Sequence, residues 1–202
     1  MKNLPLYDAI ISTEDDGIFT VSLVDYPAVE SDFIYFNEDR KPLNFKVANE
    51  EKRLVTGVLM RANHPIYRIA NSGYEYYIRF SRETIEVMAE KMLADNTHNN
   101  VNLQHNPDNY VDELYLREVF IKDVEKGINP IGFENIEDGS LFGTYKVFND
   151  EVWESIKKGE FKGFSIEVLI HSQEVEMSKQ ENELELYSEI LDLIKKIENK
   201  RK

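Results

Sequence analysis

The apolar residues of this chain come in short runs of strand length, each closed by turn-forming residues, and that spacing constrains the fold more than any other feature. Residues 7–12 and 18–24 flank Glu14-Asp15-Asp16-Gly17, which reads as the turn of a β-hairpin. A short aromatic run at 32–36 is followed through Glu51 by a polar stretch with little periodicity, expected as a loop. Residues 54–60 and 74–80 are rich in the β-branched and aromatic side chains that suit a pleated surface. Residues 100–104, 111–121, 140–148 and 163–170 complete the expected strands, the last dense enough in apolar residues to be buried. Only two segments of this body carry helical punctuation. Ser81 is placed to cap a helix in which Ile85, Met88, Met92 and Leu93 recur, ending near Asn96. Residues 150–158 begin with an acid, end with two lysines and are followed by Gly159.

The body is therefore expected to be α+β, mostly strand with two helices, as one domain over residues 1–175. Past about Glu174 the composition changes: a polar linker leads into Leu184, Tyr187, Ile190, Leu191, Ile194 and Ile197, which share one helical stripe. Residues 176–202 thus form a linker and an amphipathic helix, which either packs back on the domain or serves self-association or partner docking.

Charge and composition narrow the functional classes. Lys and Arg number 24 against 38 Asp and Glu, a net charge of −14, so no nucleic-acid partner is expected, because phosphate backbones are held by clustered cations. The absence of cysteine removes disulfides, thiolate nucleophiles and cysteine zinc sites, and suits a reducing compartment. The N-terminus shows no apolar run of signal-peptide type, and no stretch approaches the roughly 20 apolar residues that span a bilayer, so the expectation is cytoplasmic, with no membrane role. The four histidines have no HExxH-type spacing and the glycines form no phosphate-binding loop, so neither a metal nor a cofactor is expected.

What remains is nucleophile chemistry. His105 directly follows an apolar strand, where a strand end can project it into a cleft as a general base; the bland alternative is a surface-turn histidine beside Asn106 and Pro107. Ser165 puts a hydroxyl inside an otherwise apolar strand, where it must find a partner or be exposed for use. Its setting lacks the GxSxG elbow of hydrolases, and a satisfied strand serine is the alternative.

These residues fall within an ordered series of motifs. Val21-Ser22-Leu23-Val24-Asp25-Tyr26-Pro27-Ala28 comes first, then Leu103-Gln104-His105 and Arg117-Glu118-Val119-Phe120-Ile121. Gly143-Thr144-Tyr145 follows, and Val152-Trp153 with Lys158-Gly159 leads into Gly163-Phe164-Ser165-Ile166-Glu167. From about Asp16 to Val168 the series resembles the XkdF-like family of phage prohead serine proteases, distantly related to herpesvirus assemblins. Phe120 and Tyr145 stand where that family favours Trp, and Val168 replaces its final glycine. The resemblance implies an antiparallel β-barrel flanked by helices, and a serine endopeptidase with Ser165 as nucleophile and His105 as base. It also implies scaffold and major capsid proteins as substrates, self-cleavage, and action in the host cytoplasm inside the immature procapsid. A catalytically inactive head-assembly protein, structural or scaffold-like, is the alternative; an acidic binding module is a further one.

A third catalytic member is open between two carboxylates. Glu167 lies two residues beyond Ser165, so on a strand both side chains face one way, about 6.6 Å apart at their α-carbons. Glu118 alternates with Leu114, Leu116 and Phe120, which would put a carboxylate on an apolar face. Glu167 is preferred, structural ion pairing being the alternative for each. His171 keeps the parity of Ser165 but lies about 20 Å along a straight strand.

Overall fold

The structure, a computed structural model, describes residues 4–27, 34–35, 52–70 and 72–174. The polar stretch 37–51 and the expected C-terminal helix at 176–202 lie outside the described residues. The strands are β1 (Leu6–Ile10), β2 (Gly17–Val24), β3 (Ile34–Tyr35), β4 (Leu54–Met60), β5 (Ile66–Ile69) and β6 (Glu75–Arg79). After helix α1 (Arg82–Ala94) come β7 (Val101–Leu103), β8 (Leu114–Ile121), β9 (Leu141–Val147), helix α2 (Asp150–Lys158), β10 (Gly163–Leu169) and β11 (His171–Glu174).

They form three sheets, in the orders β11-β1-β6-β5, β10-β2-β7 and β3-β4-β9-β8. Most pairings are antiparallel, while β1 with β6 and β2 with β7 are parallel. The expected barrel is thus corrected: among the described residues the strands make three separate sheets and no closed barrel. The expected hairpin of residues 7–24 is also not formed, because β1 and β2 join different sheets. The turn between them is held by Asp16, whose buried carboxylate accepts the backbone amides of Ser12 (2.6 Å) and Thr13 (3.0 Å) and the hydroxyl of Thr13 (2.9 Å). Those amides hold its pKa well below the ordinary carboxylate range. The same exchange of sheets occurs at Ile170, where the chain leaves β2 as β10 and joins β1 as β11.

The sheets and helices share one principal core. Tyr145 of β9 and Phe164 of β10, both fully buried, bring their rings to a centroid distance of 5.1 Å and tie two sheets together. The Tyr145 hydroxyl donates to the His98 carbonyl (3.0 Å), so the buried phenol has its partner. Helix α1 begins where expected: the Ser81 hydroxyl accepts from the Thr84 amide. It buries Ile85, Met88, Ala89 and Met92, an i, i+3, i+4, i+7 face, and turns Leu93 outward at 43% exposure in place of the inward position expected for it. Helix α2 is capped by Asn149 and stopped by Gly159 in the left-handed region, and it buries Trp153 completely. Gly143 of β9 explains the glycine of its motif by close approach: a Cβ there would lie 3.0 Å from Leu59 Cδ1 and 3.1 Å from the Tyr145 ring.

Candidate functional site

The sheet β10-β2-β7 carries Ser165, Ser22 and Asn102 in one row. Ser165 pairs with Ser22 across the antiparallel β10–β2 ladder, and Ser22 pairs with Asn102 across the parallel β2–β7 ladder. Paired residues project from the same face of a pleated sheet, and so do residues two apart on a strand. The face with Ser165, Ser22 and Asn102 therefore also carries Glu167, while Val21, Leu23 and Phe164 alternate onto the other face and into the core.

His105 reaches this polar face from a tight turn beyond β7. Gln104 and His105 both adopt left-handed backbone, φ 54° and 56°, which L side chains enter at a cost of roughly 1–2 kcal/mol per residue. Neighbouring hydrogen bonds impose it. The Gln104 amide donates to the Leu23 carbonyl (2.9 Å), the Asn106 amide to that of Leu103 (3.0 Å), and the Leu103 amide to that of Asn109 (3.1 Å). Strain held in place by surrounding structure is common where a side chain must be aimed.

The imidazole is aimed back over the middle strand. His105 Nδ1 lies 3.1 Å from Glu167 Oε1 and 3.0 Å from Ser22 Oγ. The partners fix where the protons sit. The Ser22 hydroxyl is 2.6 Å from Asn102 Oδ1, an atom that only accepts, so it donates there and its lone pairs face the ring. Asn102 Nδ2 donates to Glu167 Oε1 (3.1 Å). Both neighbours of Nδ1 are thus acceptors, which places the proton on Nδ1 and leaves Nε2 as the basic nitrogen.

Ser165 differs from Ser22 in what its hydroxyl does. Ser22 is fully buried and its proton is committed to Asn102. Ser165 is buried to 6% exposure, and among the described residues its hydroxyl has no hydrogen-bond partner, His105 included. It sits one strand from the imidazole on the same face, where opposed α-carbons lie about 4.5–5.5 Å apart. Such a hydroxyl is uncommitted yet not sealed from solvent.

The remaining candidates are elsewhere. Glu118 does not lie on an apolar face as its spacing suggested: the β8–β9 register shifts between Leu116 and Glu118, which breaks the alternation and leaves Glu118 55% exposed beside Arg117 (3.4 Å). His171 lies on β11 against Asp16, at 3.2 Å. No group of three or more His, Asp or Glu placed to hold a metal ion occurs among the described residues.

Two members of the cluster were not singled out from sequence, Ser22 and Asn102. The signal that picks out Ser165, a polar side chain inside an apolar strand, applies equally to both. Each alone reads as a satisfied strand residue, and only the register of three strands puts them in one row.

No curated protein and no solved structure matches the chain. A family model described as Putative phage serine protease XkdF matches residues 43–174, a stretch that holds His105, Ser165 and Glu167. With well over half of its length matched, the chain belongs to this family of phage serine proteases.

Proposed function

We propose that the chain is a serine endopeptidase of phage head maturation, with Ser165 as nucleophile, His105 as general base and Glu167 as the group that orients the imidazole. The observation that carries the reading is the fixing of His105 Nδ1 by Glu167 Oε1 at 3.1 Å, directly over the cross-strand partner of Ser165. Held this way, the ring presents Nε2 for proton transfer.

Ser165 Oγ attacks the scissile carbonyl carbon while Nε2 takes its proton, and the imidazolium is stabilised through Nδ1–H by the Glu167 carboxylate. The tetrahedral intermediate collapses with breakage of the C–N bond, and Nε2 returns the proton to the leaving amine. Water, deprotonated by the same nitrogen, then releases the acyl group from Ser165. Ser22 is closer to the ring but cannot fill the nucleophile's role, since its proton goes to Asn102 and its contact is with the nitrogen that is already protonated. A hydrogen bond from Ser165 to Nε2 needs only a local adjustment, as free enzymes commonly hold this pair loosely. Glu118, exposed and paired with Arg117, has no access to the ring.

The proposed substrates are scaffold and major capsid proteins within an immature procapsid in the host cytoplasm, together with the chain's own C-terminal segment. Reaction of the full chain with a fluorophosphonate should modify Ser165, and Ser165→Ala and His105→Ala should each abolish modification. The Ser165→Ala chain, expressed with its cognate scaffold and capsid proteins, should accumulate uncut. Equal processing by wild type and variant would reject the proposal in favour of a non-catalytic head component.

A further inference from the structure

Helix α1 and strand β8 leave a groove of about 410 Å³ between them, open to solvent. Its apolar surface is accessible: Leu93 and Ile128 are 43% and 39% exposed, and Val119, Phe120 and Ile121 are partly buried. Strand β8 is the last of its sheet, so the groove runs beside an unpaired edge, and proteins commonly cover such an edge with a helix or a loop. The outward turn of Leu93 has its explanation here. Its spacing belongs to the buried stripe of α1, yet it lines this groove, and a covering segment would return it to the interior. Contiguous apolar surface rimmed by charged residues, here Glu86, Glu90 and Lys126, marks a place of contact.

The chain itself carries a segment that fits. Leu184, Tyr187, Ile190, Leu191, Ile194 and Ile197 make one apolar stripe at helical spacing. A helix over residues 184–197 is about 20 Å long, against about 17 Å for the stretch of α1 from Arg82 to Leu93 that borders the groove. The reach is also sufficient. In register, Glu174 of β11 lies opposite Tyr7 of β1, and Tyr7 lies opposite Ile78 of β6, four residues before Arg82. Two strand spacings and four residues of chain come to roughly 23 Å, and the ten residues from Glu174 to Leu184 extend to about 33 Å.

We propose that residues 184–197 dock as a helix in this groove of their own domain, entering at the Arg82 end and laying Leu191 and Ile194 against Leu93. Charge agrees with that direction. Lys195, one turn after Leu191, borders the stripe and comes to Glu90, which forms no ion pair among the described residues. A short linker holds the segment at an effective concentration of about millimolar, so a contact too weak to recruit a free helix is occupied most of the time.

The chain has no cysteine, so a single introduced thiol reports on its own surroundings. Leu93→Cys and Val87→Cys are made separately in the full chain carrying Ser165→Ala, which keeps the C-terminal segment from being cut. Leu93 and Val87 are equally exposed, each at 43%, and Val87 stands on α1 outside the groove. With the groove covered, the thiol at position 93 should react with an aromatic disulfide reagent roughly tenfold or more slowly than the thiol at position 87, at every protein concentration. Leu191→Asp together with Ile194→Asp should abolish the difference. A thiol at position 93 that reacts as fast as the one at 87 or faster, or a difference that survives both aspartates, overturns the docking. A difference that emerges only as protein concentration is raised assigns the groove to the segment of a second copy, and overturns it as well.

Discussion

Replacing Glu167 by Gln tests the orienting contact with the least change in shape. The amide keeps an acceptor oxygen for Asn102 Nδ2 and for His105 Nδ1–H, so the ring stays in place, and only the charge opposite the developing imidazolium is lost. A hydrogen bond to a charged group contributes about 1.5–3 kcal/mol. Glu167 and His105 are 41% and 42% exposed, so solvent screening takes part of that, and about 1–2 kcal/mol is expected. At 1.36 kcal/mol per decade this is roughly a 5- to 30-fold fall in rate. The assay is the second-order rate of Ser165 phosphonylation by a fluorophosphonate, which needs no knowledge of the natural substrate. Glu118→Gln, on an exposed residue paired with Arg117, serves as the control and should leave the rate unaltered. A Glu167→Gln rate within twofold of wild type would refute the coupling of this carboxylate to the base. A fall equal to that of Ser165→Ala, with an unchanged melting transition, would show that the magnitude was reasoned wrongly and that the carboxylate does more than orient.

Asn102→Ala should slow phosphonylation several-fold, because Ser22 and Glu167 Oε1 both lose the amide that fixes them; an unchanged rate at an unchanged melting temperature would argue against a positioning role. Lys122→Met should destabilise by roughly 2–4 kcal/mol in urea titration, since the buried Nζ donates to the carbonyls of Phe133 (3.0 Å), Glu134 (3.2 Å) and Ile136 (2.7 Å) and leaves them unsatisfied. Gly143→Ala should cost about 1–3 kcal/mol in the same titration, as the added methyl meets Leu59 and Tyr145, both fully buried and unable to withdraw far. Acid should weaken the fold through Asp16. Its folded pKa is depressed by the Ser12 amide, so its contribution is complete above the ordinary carboxylate value of about 3.9 and is lost as pH falls below it. Asp16→Asn should flatten that acid limb in thermal melts.

The two helices and most strands of the body were legible in the sequence because each carries a local signal: a cap at Ser81, Gly159 after α2, and β-branched or aromatic runs at residues 54–60 and 140–148. The short strand β5 was not, since four residues with one buried apolar side chain leave no period to read. Spacing misled at Glu118, where a bulge cancels alternation, and at residues 7–24, where two adjacent strands look like a hairpin until their partners are known. Strand pairing depends on contacts between segments distant in sequence, as with Ser22, Asn102 and Ser165, and no local preference encodes which strands will meet.

For the site, the sequence by itself raised Ser165, a hydroxyl inside an apolar strand, and His105, which follows one; their roles came from the family resemblance, and the third member stayed open between Glu167, preferred by strand parity, and Glu118. Only the tertiary structure decided that the ring turns toward Glu167 and not Glu118, and that Ser22 and Asn102 assign its proton to Nδ1. The physical reason is that hydrogen-bond partners and counter-ions are properties of three-dimensional neighbours, fixed by register across the β10-β2-β7 sheet and by a strained turn whose backbone is held from outside its own sequence.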